Sequence, residues 1–356
     1  MTYNPHLLHS EHDLQRLIIR LDNVEQPALL QQELIALGGD VTLPASGCIV
    51  LAGTRAQLHA LIANRPGDAV AAELADFLTR HAERHTPRTL AAGRYLLEFG
   101  KRTLIMGILN ITPDSFSDGG RWADLDKAVE HAKRMIAEGA DILDIGGEST
   151  RPGHAPVSAE EEIRRVVPVI ERLAREVDIP ISIDTYKSSV AAAAVRAGAH
   201  IVNDVWGGLA DPEMAAVCAQ LDCPFIIMDN RDTPYEDDVM AGVIRDMRRQ
   251  IANALQAGVR DENLILDPGI GFGKTHEQNL LVMRHLDEIT ALGYPVLLGT
   301  SRKSMIGNAL GLPVDQRVEG TAATVALGIA KGVDIVRVHD VKEMARVARM
   351  TDAMVR

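Results

Sequence analysis

The chain has 356 residues, 46% of them hydrophobic and 24% charged, with 37 Lys and Arg against 49 Asp and Glu for a net charge of −12. That length and composition exclude disorder and allow one large core, or a large domain with a small one. Acidity and a sparse set of five Phe, two Trp and five Tyr exclude the basic stripes and stacking aromatics by which nucleic-acid binders are recognised.

Cys48, Cys218 and Cys223 are too few and too irregular for a disulfide framework, and the last two lack C-x-x-C spacing. A reducing cytosol is the expected compartment. The opening residues, MTYNPHLLHSEHD, show no basic region followed by an apolar one, and no run approaches the ~18 apolar residues of a membrane span. A soluble, cytoplasmic protein is expected, without a membrane or nucleic-acid partner.

Residues 1–100 hold no lysine and six of the twelve histidines. Within them LLQQELIALGG, RAQLHALIAN and DAVAAELADFLTRHAERH read as helices and CIVLAG as a strand, which predicts a small α/β accessory domain over 1–88. TPRTLAAG (86–93) has the Pro and Gly punctuation of a connector, and YLLEF and RTLIMGIL then flank a tight Gly turn.

From residue 89 to 356 short runs rich in Ile, Val and Leu alternate with helix-like segments, the pattern of parallel strands buried on both faces. Eight runs occur: TLIMGIL (103–109), DILDI (141–145), ISID (181–184), HIVND (200–204), PFIIM (224–228), NLILD (263–267), PVLLG (295–299) and DIVRV (334–338). Between them lie amphipathic stretches such as SAEEEIRRVVPVIERLAREV and YEDDVMAGVIRDMRRQIANALQAG, with acidic starts and Gly at several ends. Eight β/α units in a segment of that size predict a (β/α)8 TIM barrel. A doubly wound sheet is the rival, and the count of eight together with the absence of an early G-x-G-x-x-G favours closure.

Polar residues with Gly and Pro neighbours cluster just after the runs, where a barrel builds its active site. Asn110 opens NITPDSFSDGGRW, GGESTRPGH follows the second run, and Asp184, Asn203, Asp204 and Asp267 end later ones. TSRKS follows the seventh, and Arg337 and His339 close the eighth on one face of an extended segment. A single Asp at a strand end is as good a helix cap as a ligand, and Asp184 before Thr185 is open to both readings. The cations and donors Arg151, Lys303, Arg337 and His339 suit a phosphate or pyrophosphate. Asp184, Asn203 and Asp267 suit a flat heterocycle with several N–H donors. A substrate carrying both would react by losing phosphate or pyrophosphate, aided by a hard cation such as Mg²⁺.

The ordered set MGILNITPDSFSDGG (106–120), DIGGESTRPG (144–153), ISIDTYK (181–187), NDVWG (203–207), DPGIGFGKT (267–275), GTSRKSMIG (299–307) and RVHDV (337–341) resembles the dihydropteroate synthase family over roughly 94–356. The N-terminal segment resembles an extension of some longer members. The resemblance implies a TIM barrel, usually a homodimer, that condenses dihydropterin pyrophosphate with p-aminobenzoate into dihydropteroate and pyrophosphate. It implies a catalytic set of Asp184, Asp267, Lys303, Arg337 and His339, with Asp184, Asn203, Asp267 and Lys303 holding the pterin. Thr150, Arg151, Arg337 and His339 would then meet the pyrophosphate, Phe272, Lys303 and Ser304 the p-aminobenzoate, and Asn110 the Mg²⁺. In the family the pyrophosphate leaves with much of its charge developed before the amine attacks, so no covalent enzyme intermediate is expected. Segments 111–122 and 148–156 are expected to close over substrate. One departure stands out: where the family commonly has Met-His, this chain has Met228-Asp229, an extra carboxylate expected near the pterin pocket. A pterin-binding methyltransferase domain would share the Asp and Asn contacts but would not need SRKS or RVHDV, and a non-catalytic pterin-binding protein is the remaining rival.

Overall fold

The structure, a computed structural model, describes residues 4–11, 16–22, 24, 26–45, 48–83, 88–111, 120–148 and 156–356. Thr150, Arg151 and most of the segments 111–122 and 148–156 lie outside the described residues. The chain divides into two compact units, Met1–Thr86 with Asp287–Gly293, and Pro87–Leu286 with Tyr294–Arg356.

The first unit contains β1 (Asn4–Glu11), β2 (Arg16–Asp22), α1 (Pro27–Ala36), β3 (Asp40–Ala45), β4 (Cys48–Thr54), α2 (Arg55–Ala63) and α3 (Ala69–Glu83). Its strands form an antiparallel sheet in the order β1-β2-β4-β3. Alternation in β2 and β4 sends Leu17, Ile19, Leu21, Ile49 and Leu51 into a core shared with Leu30, Leu34, Leu58, Leu61 and Phe77 of the helices. Helix α2 starts where it does because Thr54 and Gln57 form a reciprocal capping box. The three helices and β4 are those expected from the sequence. Strands β1, β2 and β3 are additional; β1 and β3 are sheet edges with Pro or polar residues inside them, which weakens any period-two signal.

The second unit opens with a hairpin, β5 (Arg88–Ala92) and β6 (Tyr95–Phe99), paired from Arg88↔Phe99 to Ala92↔Tyr95. The segment read as a connector is therefore a strand, and YLLEF pairs backward with it rather than forward across Gly100. The turn is Gly93-Arg94, with Gly93 at φ 59, a left-handed conformation that costs glycine little. Leu90, Ala92, Leu97 and Phe99 then share one face of the ribbon.

There follow β7 (Leu104–Asn110), α4 (Gly120–Glu138), β8 (Ile142–Gly146), α5 (Ala159–Glu176), β9 (Ile181–Asp184), α6 (Ser188–Ala197) and β10 (Ile201–Asp204). Then come α7 (Met214–Leu221), β11 (Phe225–Met228), α8 (Val239–Gln256), β12 (Leu264–Asp267), α9 (His276–Arg284) and α10 (Leu286–Thr290), of which α10 falls, but for Leu286, in the first unit. The chain ends with β13 (Leu297–Leu298), α11 (Ser304–Leu310), α12 (Val318–Ala330), β14 (Ile335–Val338) and α13 (Val341–Val355). Ser158, Asp238 and Thr275 cap α5, α8 and α9 through their side chains.

Strands β7 to β14 form one parallel sheet in the order β12-β11-β10-β9-β8-β7-β14-β13. A parallel bridge between Leu266 and Val296 joins its two ends, so the sheet closes into the (β/α)8 barrel and the doubly wound alternative is excluded. At the start of the strands Met106, Ile142, Ile201, Ile226, Ile265, Leu297 and Ile335 cluster with the hairpin's Leu90, Ala92, Leu97 and Phe99. This apolar floor is what fixes the far ends of the same strands.

Candidate active site

Side chains two apart on a strand share a face, so each floor residue predicts what the strand aims at the opposite end of the barrel interior. The steps are Ile142 to Asp144, Ile201 to Asn203, Ile226 to Met228, Ile265 to Asp267 and Ile335 to Arg337, and on β9 the buried Ser182, which is not part of the apolar cluster, steps to Asp184. Strands of four or five residues allow only one such step, which carries each chain from the apolar floor directly to the mouth.

At the mouth a single guanidinium organises two carboxylates. Arg337 Nε donates to Asp144 Oδ2 at 2.6 Å, Arg337 Nη2 donates to Asp184 Oδ2 at 2.5 Å, and Asn203 Nδ2 donates to Asp144 Oδ2 at 3.2 Å. Asp144, Asp184 and Asn203 are buried. The Oδ1 atoms of both aspartates are buried and accept no hydrogen bond from the described residues. Burial pushes the Asp184 carboxyl up to about 7 against the pull of Arg337. The guanidinium loses by burial too, yet Asp144 and Asp184 hold it above its ordinary value.

A second pair lies beside the first. Asp267 is buried, accepts from Gly269 N at 2.8 Å through Oδ1, and is pushed up by burial, with Lys303 opposing the shift. Burial pushes the Lys303 ammonium down to about 8, Asp267 opposing that shift in turn. Lys303 Nζ donates to the Ile270 carbonyl and stands 4.6 Å from the centre of the Phe272 ring. Lys303 is aimed by its neighbour: Arg302 takes a left-handed φ of 58, at a cost of about 1–2 kcal/mol for a non-glycine residue. Its guanidinium bonds both oxygens of Asp340, and its amide donates to Thr321 Oγ1 at 3.1 Å. His339 meets Ser301 Oγ through its amide at 3.1 Å and its Nδ1 at 3.0 Å.

These groups surround one cavity of about 350 Å³, lined by Asn110, Asp184, Asn203, Asp267, Phe272, Lys303, Ser304, Arg337 and His339, with Met228 and Gly271 among others. Every site residue expected from the sequence and described in the structure is thus on one wall or another of the same cavity. Asp184 does not cap α6, whose N-cap is Lys187; Ser188 N bonds Asp211 instead. Asp204, another strand-end carboxylate, turns away to accept from the amides of Trp206 and Gly208. Asp229 neither points into the pocket nor outward: it is buried in an ion pair with Lys274, 2.6 Å from Nζ. Asp144 and Ser301 were not among the expected site residues. An aspartate inside the apolar run DILDI, two residues after an inward Ile, was the available signal for the first.

A family profile described as "Pterin binding enzyme" matches residues 106–339. A dihydropteroate synthase of Clostridium beijerinckii is 58% identical over 258 residues, 72% of this chain and 96% of the relative. A Clostridium difficile dihydropteroate synthase solved in the presence of pteroic acid superposes with a TM-score of 0.72 at 56% identity, covering 73% of this chain and 99% of that one. A Xanthomonas albilineans dihydropteroate synthase solved with 4-aminobenzoic acid gives a TM-score of 0.72 at 44% identity, covering 76% and 98%. The chain belongs to the pterin-binding enzymes and, within them, to the dihydropteroate synthases, which are transferases.

Proposed function

We propose that the mouth binds (7,8-dihydropterin-6-yl)methyl diphosphate and 4-aminobenzoate together and joins them to 7,8-dihydropteroate with release of diphosphate. The observation that carries this reading is the meeting, in one cavity, of an acceptor wall (Asp184, Asn203, Asp267) with a cationic wall (Lys303, Arg337, His339). The Oδ1 of Asp184, which accepts no hydrogen bond among the described residues, supports a ligand that brings N–H donors, and Asp267 beside Lys303 supports the edge of a flat amino-heterocycle. Arg337 and His339 hold the diphosphate, joined by Thr150 and Arg151. Phe272, Lys303 and Ser304 hold the aminobenzoate.

In the reaction the C–O bond to diphosphate breaks with its electron pair on the leaving oxygen, and the amine of aminobenzoate forms the new C–N bond and loses a proton. No side-chain nucleophile enters. Asp184, Asn203 and Asp267 orient the pterin, and Arg337, His339 and Lys303 stabilise charge developing on the leaving group, so catalysis is positioning and electrostatics.

Mg²⁺ belongs to the same proposal. Among the described residues no group of three or more His, Cys, Asp or Glu is placed to cage a metal. Asn110 fits an ion that keeps waters and takes substrate phosphate oxygens. Gly146 leaves open the space beside Asn110 Oδ1 and Asp184 Oδ2 that a Cβ would enter, at 3.3 and 3.7 Å from those atoms. Neutralising the diphosphate is the chemistry such an ion supplies there. The proposal also has two copies pairing, supported by exposed Leu327, Met350, Met354 and Val355 on α12 and α13, and a cytoplasmic setting, supported by a cysteine set of only three, all buried.

The test is an assay of diphosphate release with each substrate alone, with both, and with and without Mg²⁺. Release that requires both substrates is the expected result; no release with both present under any condition contradicts the proposal.

A further inference from the structure

The loop between β12 and α9, residues 268–275, faces the cavity on one side with Gly271 and Phe272. Its other side is built around an ammonium that the reaction does not use. The Lys274 side chain is fully buried, with Nζ 2.6 Å from Asp229 Oδ2. The same nitrogen donates to the carbonyls of Gly269 at 3.2 Å, Phe272 at 3.3 Å and Asp229 at 3.3 Å. An ammonium has three protons and no acceptor, so the three carbonyls satisfy its hydrogen bonds and Asp229 Oδ2 supplies the opposite charge.

The loop is folded tightly around that charge. Gly269, Gly271 and Gly273 all take left-handed φ. A Cβ at Gly269 would run into the Asp229 carbonyl and one at Gly273 into the Arg231 carbonyl, so the loop lies flat on 229–231. Asp229 is itself aimed. The Tyr235 hydroxyl lies 2.8 Å from Asp229 Oδ1 and 3.0 Å from Asp246 Oδ2, so its one proton serves either carboxylate, and Asp246 is faced by Arg231, Arg245 and Arg249. The Arg231 guanidinium lies 3.9 Å over the Tyr235 ring, and Gln278 Nε2 donates to the Tyr235 carbonyl at 2.6 Å, tying α9 to the same assembly. On the cavity side Lys303 reaches the Ile270 carbonyl and the Phe272 ring. The loop is thus held between two ammonium groups, Lys274 beneath it and Lys303 at the substrate.

We propose that Lys274 and Asp229 are positioning residues, a buried ion pair aimed by Tyr235 that fixes the 268–275 loop so that Phe272 and Lys303 present the aminobenzoate site. Neither residue lines the cavity; both hold the loop, and the Lys274 charge is also felt at Asp267 and Lys303. The role assigned to Phe272 and Lys303 rests on the function proposed above. It also accounts for the departure at Asp229: the carboxylate is the counter-charge of Lys274, not an intruder in the pterin pocket.

The test uses the full-length protein and the double variant Asp229→Asn/Lys274→Met, which removes both charges at similar volume and avoids a lone buried ion. Amide hydrogen exchange at Gly269, Gly271 and Gly273 is read in the ligand-free protein, alongside steady-state constants for both substrates. The expected result is exchange faster by about ten-fold or more. A rise of about ten-fold in KM for 4-aminobenzoate should accompany it, with the pterin KM within about three-fold and any fall in kcat smaller than the rise in the aminobenzoate KM. A merely structural role would lower the melting temperature and leave both KM values unchanged. Unchanged exchange, or unchanged aminobenzoate KM in a folded and active variant, overturns the proposal. If the double variant does not fold, Tyr235→Phe carries the test: it keeps both charges and should move exchange and KM in the same direction by about three-fold, and no movement overturns the proposal. Failure of the wild type to release diphosphate contradicts the proposed function instead, and the exchange result then decides the positioning role alone.

Discussion

The two ends of the barrel are made from the same strands and obey opposite rules. At the floor, Ile142, Ile201, Ile265 and Ile335 pack with Leu97 and Phe99 of the hairpin and bury nothing that needs a partner. Two residues further along stand Asp144, Asn203, Asp267 and Arg337, all but Arg337 buried; Asp144 Oδ1 and the neighbouring Asp184 Oδ1 accept no hydrogen bond among the described residues. Burying apolar area stabilises by roughly 25 cal/mol per Å², whereas a buried ion pair is close to neutral against an apolar replacement. The floor therefore supplies rigidity, and the mouth uses it to hold charged groups in place.

That contrast predicts which variants change stability and which change binding. The largest effect belongs to the floor. Phe99→Ala should cost about 3–5 kcal/mol of unfolding free energy, measured by urea titration, with substrate KM values unchanged. Altered KM at the temperature where the variant is fully folded would show that the hairpin reaches the mouth. Next is Asp267→Asn, which replaces a charged acceptor with an amide that offers donors to donors. Pterin affinity should fall about 100-fold by calorimetry, near 2.7 kcal/mol, with little change in melting temperature. Wild-type affinity would place the pterin edge on another residue.

The pH dependence should follow the mouth alone. Below about 7 Asp184 takes up a proton and loses its charge toward Arg337 and substrate donors, and above about 8 Lys303 loses its charge. The free-enzyme profile of kcat/KM should be a narrow bell between these values, and Lys303→Arg should extend the alkaline side. A flat profile across both values contradicts these assignments. The smallest effect is Ile335→Val in the floor, about 0.5–1.5 kcal/mol in stability and none in kcat/KM.

Strands buried on both faces leave continuous apolar runs, so all eight barrel strands were legible in the sequence. Edge strands β1 and β3 were not, since each is polar or interrupted by Pro, and the hairpin was misread because Pro87 and Gly93 look like linker punctuation. At the site, Asp184, Asn203, Asp267 and Arg337 stand out by their place at run ends and Lys303 by its place in the segment after one. Their pairings did not: that Arg337 bridges Asp144 and Asp184, or that Asp229 is neutralised by Lys274, depends on which strands become neighbours on closure.

The division between floor and mouth is tested most directly by melting wild type, Phe99→Ala and Asp267→Asn with and without the dihydropterin diphosphate at saturating concentration. A ligand at about 100 times its dissociation constant adds about 2.7 kcal/mol to the folded state. Phe99→Ala should melt lower without ligand and gain the same free energy as wild type from it, while Asp267→Asn should melt like wild type alone and gain little. The reverse pattern, lost ligand stabilisation in Phe99→Ala and full stabilisation in Asp267→Asn, would contradict the account.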